Sequence, residues 1–357
     1  MVMRAGLFGI LATVAACASN PDFPDPLEGF PFTLIGRADQ KTVDRRGRFR
    51  EILCAVNAAR GRQFSVYRRC EDIVHRFPDE HAGTGAPVNL GPPRSRLQIA
   101  VVPGLGADCV AGLVTPFQFA LENLHDQGFA TTSIRVDGLS SSANNARKIR
   151  DAVIAMDLEA KEKLVLLGYS KGTTDILEGL VAYPELAERV AAVISISGAV
   201  NGSPVAEEAS EAMLALLQYL PGSTCETGDG GALESLKPAN RQQFAETYDL
   251  PKDVRYFSLG AFAHREQISS ILRGSYDQLA RRDPRNDSQM LFFDQVIVEG
   301  VLLGFANADH WAVALPFFRR SPILAATLID QNDFPREVLL EAIVRYVDEH
   351  MNTEPPK

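Results

Sequence analysis

A serine with glycine two residues away on each side stands directly after an apolar run. The run is Lys163-Leu164-Val165-Leu166-Leu167 and the motif is Gly168-Tyr169-Ser170-Lys171-Gly172. This G-x-S-x-G pattern predicts a sharp strand-to-helix bend that lifts the Ser170 hydroxyl above a sheet. Glycine is required at both flanks because a Cβ there would collide with neighbouring backbone. Downstream, Thr173 to Val181 carries apolar residues at helical spacing, so a helix is expected after the bend. A serine hydroxyl is a poor nucleophile at neutral pH and needs a histidine to take its proton. Of the six histidines, only His264, His310 and His350 follow the bend. His350 falls in a charged terminal helix and is expected to be solvated. His264 follows a strand and could lie at a rim. His310 lies late, in Ala308-Asp309-His310-Trp311, after the apolar run Val301 to Phe305. An acid must orient that histidine. Asp277, Asp283, Asp287 and Asp294 are available between the serine and His310.

The elements that must hold these residues form a regular series. Leu97–Val102, Ala130–Val136, the run before Ser170, Val190–Ser197 and Val254–Leu259 read as strands. Amphipathic helices alternate with them, and a last helix starts at Pro335. This pattern predicts an α/β fold with a mostly parallel, doubly wound sheet covered on both faces. Between Asn201 and Pro251 the alternation breaks. Glu207–Leu220 reads as an amphipathic helix, followed by Gly228-Asp229-Gly230-Gly231. An insertion at 201–251 could cap the site or simply pack on the surface. Residues 17–95, rich in Pro, Gly and charge, read as an N-terminal extension with one helix near Arg48–Ala59. The main domain is then 96–350.

Order and motifs together resemble the α/β-hydrolase family, in particular its bacterial lipase-like and esterase-like members. In that family the triad runs serine, acid, histidine along the chain. The resemblance implies Ser170 as nucleophile, His310 as base and Asp287 as acid. Asn286-Asp287-Ser288 is the segment most similar to the family's Asn-Asp-Gly turn, with Ser in place of Gly. Asp294 is the second choice. By the same resemblance the oxyanion hole takes one amide from Lys171 and one from Pro103-Gly104-Leu105-Gly106, with Leu105 preferred and Gly106 possible. Relatives often carry His-Gly where this chain has Pro-Gly; only backbone donates, so the change is tolerable. The Lys171 side chain is expected to point away from the serine. The segment Ser197-Gly198-Ala199-Val200-Asn201-Gly202-Ser203-Pro204 is expected to line the pocket.

The 357 residues carry a formal charge of −9, which argues against a nucleic-acid partner. No cofactor is implied, and no histidine pair has metal-site spacing. At the N-terminus, Arg4 precedes the short apolar run Ala5 to Ala16. That is a secretory signal, too short to span a bilayer. Val14-Ala15-Ala16-Cys17 resembles the lipobox of bacterial lipoproteins. The resemblance implies removal of 1–16, a lipid anchor on Cys17 and, with Ala18 next, an outer-membrane address facing the periplasm. Ordinary cleavage near Ala16 or Ala18 is the alternative. Four further cysteines remain. Cys54 and Cys70 enclose a short loop and are the expected disulfide; Cys109 and Cys225 either pair or stay as free thiols. The expected activity is hydrolysis of a small-molecule or lipid ester. Acyl transfer or peptide hydrolysis on the same triad, and a non-catalytic envelope lipoprotein, are the rivals.

Overall fold

The computed structural model describes residues 25–27, 41–159, 162–209, 225 and 228–353. The expected signal segment 1–16, Cys17 and most of the expected helix 207–220 lie outside them. Seven parallel strands form one sheet. They are β1 (Val43–Asp44), β2 (Leu97–Val102), β3 (Ala130–Ser133), β4 (Lys163–Tyr169), β5 (Val190–Ile196), β6 (Arg255–Phe262) and β7 (Val301–Asn307). Their order across the sheet is β1-β7-β6-β5-β4-β2-β3. The chain steps from β2 out to β3, then crosses back over β2 to β4. The crevice outside the carboxyl ends of β2 and β4 is therefore the topological switch point, where open parallel sheets bind ligands.

The central strands read as continuous apolar runs because both faces are covered. In β4, Val165 and Leu167 pack into one core layer, and Leu164 and Leu166 into the other. This is the period-two alternation of a strand. The first layer is closed by the helices Arg46–Arg60, Gln118–Asp126 and Arg336–Thr353. The second is closed by Ser142–Ala155 and Lys171–Ala182.

Residues 41–95 are joined to this frame at several levels. β1 pairs with β7 at the sheet edge. Phe49, Ile52, Leu53 and Val56 of the first helix enter the same core as the last helix. Across that contact Arg48 meets Glu349 and Arg60 meets Glu341. Two disulfides form: Cys54–Cys70 fastens the first helix to the following turn, and Cys109–Cys225 joins the loop after β2 to the 201–251 segment. Within that segment the described elements are the turn Pro204–Glu207 and the helices Ala232–Leu236 and Pro238–Thr247. Among the described residues no helix is long and apolar enough to cross a membrane.

Candidate active site

β4 ends at Tyr169, and the helix Lys171–Ala182 begins two residues later. Ser170 makes the whole bend, with φ 55° and ψ −126°. A left-handed serine is strained by roughly 1–3 kcal/mol. Its neighbours over-determine it. Its N–H donates to Ile196 O, and its carbonyl accepts from the amides of Thr173 and Ala199. The flanking glycines are dictated by contact. A Cβ on Gly168 would stand 2.5 Å from Thr173 Cα, and one on Gly172 would stand 2.2 Å from Val102 O. Gly104, after β2, belongs to the same requirement: its Cβ would lie 2.7 Å from Ser170 Cβ. The loop after β2 thus lies directly against the serine.

Ser170 Oγ is 3.0 Å from His310 Nε2, and His310 Nδ1 is 2.8 Å from Asp287 Oδ2. All three side chains are buried. The other carboxylate oxygen of Asp287 accepts the amides of Gln289 (2.9 Å) and Met290 (2.8 Å). Asp287 is therefore held as an acceptor, and its hydrogen bond to Nδ1 leaves Nε2 to accept from the serine hydroxyl. His310 is fixed by its backbone as well. Its N–H donates to Asp287 O at 2.8 Å, and its carbonyl accepts from the Tyr169 hydroxyl at 2.8 Å. The Tyr169 ring also stacks on the imidazole. Burial first, then the Asp287 and Asp309 charges, hold the Tyr169 phenol well above its ordinary pKa, so it stays a donor.

The structure assigns other work to the remaining candidates. Asp277 pairs with Arg265, and Asp283 with Arg285. Asp294 does not reach the imidazole network; burial pushes its pKa up to about 7. Asp309, beside His310, accepts the amides of Ser269 and Ala312 and so shapes the histidine loop. His264 lies 3.8 Å from the Asp25 carboxylate. His350, expected to be solvated, is half-buried: its ring packs edge-on to Phe257 and stacks on Tyr346. The cause is that the last helix turns this face toward the sheet.

The two amides expected to serve an oxyanion are distinguishable by their bonds. The Gly106 N–H is committed to Gly138 O at 3.1 Å. Among the described residues the amides of Leu105 and Lys171 have no acceptor. Lys171 opens a helix, so its N–H is one of the unpaired groups that attract negative charge. Its ammonium is turned inward, 2.6 Å from Asp175 Oδ1. Sequence reasoning gave Tyr169 and Gly104 no contact of their own in the site. Both stand inside motifs already singled out, and their positions in those motifs were the available signal. Among the described residues one cluster of potential metal ligands occurs, Asp108 with Cys109 and Cys225. Its sulfurs are joined in the disulfide, which leaves a single carboxylate.

A parallel sheet with a serine on a strained strand-to-helix bend, facing a late imidazole, defines the α/β-hydrolase fold. The chain is 42% identical to the metagenomic carboxyl esterase MGS0156, with a TM-score of 0.83; the match covers 90% of this chain and 97% of that one. The mature lipase BlEst2 of Bacillus licheniformis is 20% identical, covers 64% of this chain and 89% of its own, and has a TM-score of 0.50. That likeness is one of fold. No protein-family model and no curated protein matches the sequence. On the first of these similarities the chain belongs to the α/β-hydrolase family.

Proposed function

We propose that this protein hydrolyses carboxylic esters through an acyl-enzyme on Ser170. One observation carries the reading: the unbroken Ser170–His310–Asp287 hydrogen bonds, set against two uncommitted amides, in a chain similar to a protein named a carboxyl esterase. Ser170 Oγ attacks the acyl carbonyl as its proton passes to His310 Nε2. The carbonyl oxygen becomes an oxyanion held by the Leu105 and Lys171 amides. Collapse breaks the ester C–O bond, and the imidazolium returns its proton to the leaving alkoxide. Water then attacks the acyl-serine, His310 takes its proton, and the acid departs with Ser170 restored. Asp287 keeps the imidazole in the required tautomer and balances its transient charge. Each oxyanion donor is worth about 100- to 1,000-fold in turnover.

The substrate is a small-molecule or lipid ester. Ser170→Ala is expected to lower turnover of short p-nitrophenyl esters by about a million-fold. Undiminished hydrolysis by the purified variant would refute the nucleophile. We further propose that the enzyme sits in the bacterial envelope, anchored through lipid on Cys17 in the outer membrane and facing the periplasm; the resemblance of Val14-Ala15-Ala16-Cys17 to a lipobox supports this. Growth with an alkyne-tagged fatty acid should label the wild type and not Cys17→Ser. Label retained by the variant would refute the anchor.

A further inference from the structure

The Lys171 side chain begins a buried polar path that leads to the other oxyanion loop. Lys171 and Asp175 are each only 1% exposed, with Nζ 2.6 Å from Oδ1. The second oxygen of Asp175 accepts from Asn145 Nδ2 at 2.8 Å, and Asn145 is also 1% exposed. Asn145 then grips the backbone of Asp137 from both sides. Its Nδ2 donates to Asp137 O at 3.0 Å, and its Oδ1 accepts from Asp137 N–H at 3.0 Å. The next residue, Gly138, is clasped to the loop after β2. Its N–H donates to Asp108 Oδ1 at 3.0 Å, and its carbonyl accepts from the Gly106 N–H at 3.1 Å. Gly106 adjoins Leu105.

This path crosses two helices and two loops. It starts on the helix behind Ser170, passes through the start of the helix Ser142–Ala155 and the loop before it, and ends in the loop after β2. Its ends carry the two amides assigned to the oxyanion. A deeply buried ion pair is weak evidence for stability, because apolar residues of similar volume commonly serve as well or better. What a fully bonded buried network does provide is a single geometry.

We propose that Lys171, Asp175 and Asn145 are positioning residues that set the separation of the Leu105 and Lys171 amides. The proposal rests on the ester-hydrolase reading above and adds to it the device that fixes the hole. None of the three side chains needs to touch the substrate; they act through backbone. Misplacing such a donor by about 1 Å can cost on the order of 100-fold in rate. The ground-state carbonyl is held less tightly than the oxyanion, so the loss falls on turnover.

Two variants test it: Asn145→Leu, and the double variant Lys171→Met with Asp175→Leu, which removes both buried charges together. Active-site concentration is set by fluorophosphonate titration. Turnover and KM on p-nitrophenyl butyrate are measured beside inhibition by a trifluoromethyl ketone, whose serine adduct places an oxyanion in the hole. We expect kcat per titrated site to fall about 10- to 100-fold and KM to stay within about two-fold. The ketone's inhibition constant should rise by the same factor as kcat falls. A purely structural role would lower the melting temperature and leave kcat per titrated site and the ketone constant unchanged; that result overturns the proposal. So does a fall in kcat with no matching change in the ketone constant. Should Asn145→Leu not fold, the double variant decides by the same criteria. Failure of the underlying reading looks different: the wild type itself would then take no fluorophosphonate on Ser170.

Discussion

Around Ser170 the chain holds three serines in left-handed backbone: Ser170 at φ 55°, Ser197 at φ 43° and Ser288 at φ 81°. In residues 41–96, by contrast, no non-glycine residue has positive φ. That N-terminal segment is fastened by a relaxed helix and by arginine–carboxylate pairs, Arg48 to Glu349 and Arg60 to Glu341, with Arg345 bonded to the same Glu341. Buried polar atoms without a partner occur in both regions, the hydroxyls of Ser197 and Ser288 in the site loops and Thr42 Oγ1 and Asn57 Oδ1 in the N-terminal segment, so backbone strain is what separates them. Strained backbone is expensive, and it persists only where surrounding structure over-determines it. The two regions therefore divide the work. One carries the proposed reacting atoms on strained backbone, and the other is a relaxed segment tied on by ion pairs and core packing.

Substitutions in the two regions should separate activity from stability. The largest effect is expected at the acid. Asp287→Asn keeps the shape of the loop but presents the wrong hydrogen-bonding pattern to Nδ1, and kcat should fall about 10,000-fold. Steady-state kinetics on a p-nitrophenyl ester reads this, with the unfolding midpoint little changed. Where the other region meets the last helix, Glu341→Leu leaves the Arg345 and Arg60 guanidinium groups without their buried carboxylate. Loss of one partner from such a pair costs about 3–5 kcal/mol. Urea unfolding should show that loss, while kcat per folded molecule stays within two-fold. A fall in kcat of the same order would erase the division between the regions.

His75 gives the comparison a pH axis. Its ring stacks on Phe262 and its Nε2 lies 2.8 Å from the Phe262 carbonyl. Burial lowers its pKa to about 4 from an ordinary 6.5. Above pH 6.5 the ring is neutral in both folded and unfolded chains and contributes no pH dependence. As pH falls from 6.5 towards 4, the unfolded chain binds a proton that the folded one refuses, so stability drops. The loss approaches about 3 kcal/mol at pH 4. Unfolding measured across this window should show that slope flattened in His75→Gln. The smallest effect has the opposite sign. Ser288→Gly removes a left-handed Cβ and a buried hydroxyl without a partner, and should stabilise the fold by about 1 kcal/mol. A melting temperature raised by a few degrees would register it; a lowered one would mean that the Ser288 side chain carries an interaction worth more than its strain.

The site was readable in the sequence where its requirements are local. The bend around Ser170 needs its glycines within five consecutive residues, so strand, turn and helix were legible together. The turn at Asp287 was legible from Asn286-Asp287, although Ser288 stands where glycine is the easier residue. The imidazole was found by chain order, since His310 alone follows a late apolar run into a loop. What long-range packing decides was not legible. Val43–Asp44 is too short to show a strand period, and it becomes one only by pairing with Val301 and Leu302. The choice between Leu105 and Gly106 depended on Gly138, more than 30 residues away, taking the Gly106 amide. Nothing at Asn145 announces that its amide bridges Asp137 and Asp175. His350 looked solvated because its neighbours in sequence are charged, while its neighbours in space are aromatic.

Mass spectrometry of the fluorophosphonate-treated protein tests most directly whether the Ser170 hydroxyl is the activated nucleophile. One adduct per molecule is expected, on the peptide containing Gly168-Tyr169-Ser170, strongly slowed in His310→Ala and absent from Ser170→Ala. An adduct mapped to another residue, or labelling that proceeds at the wild-type rate without His310, would contradict it.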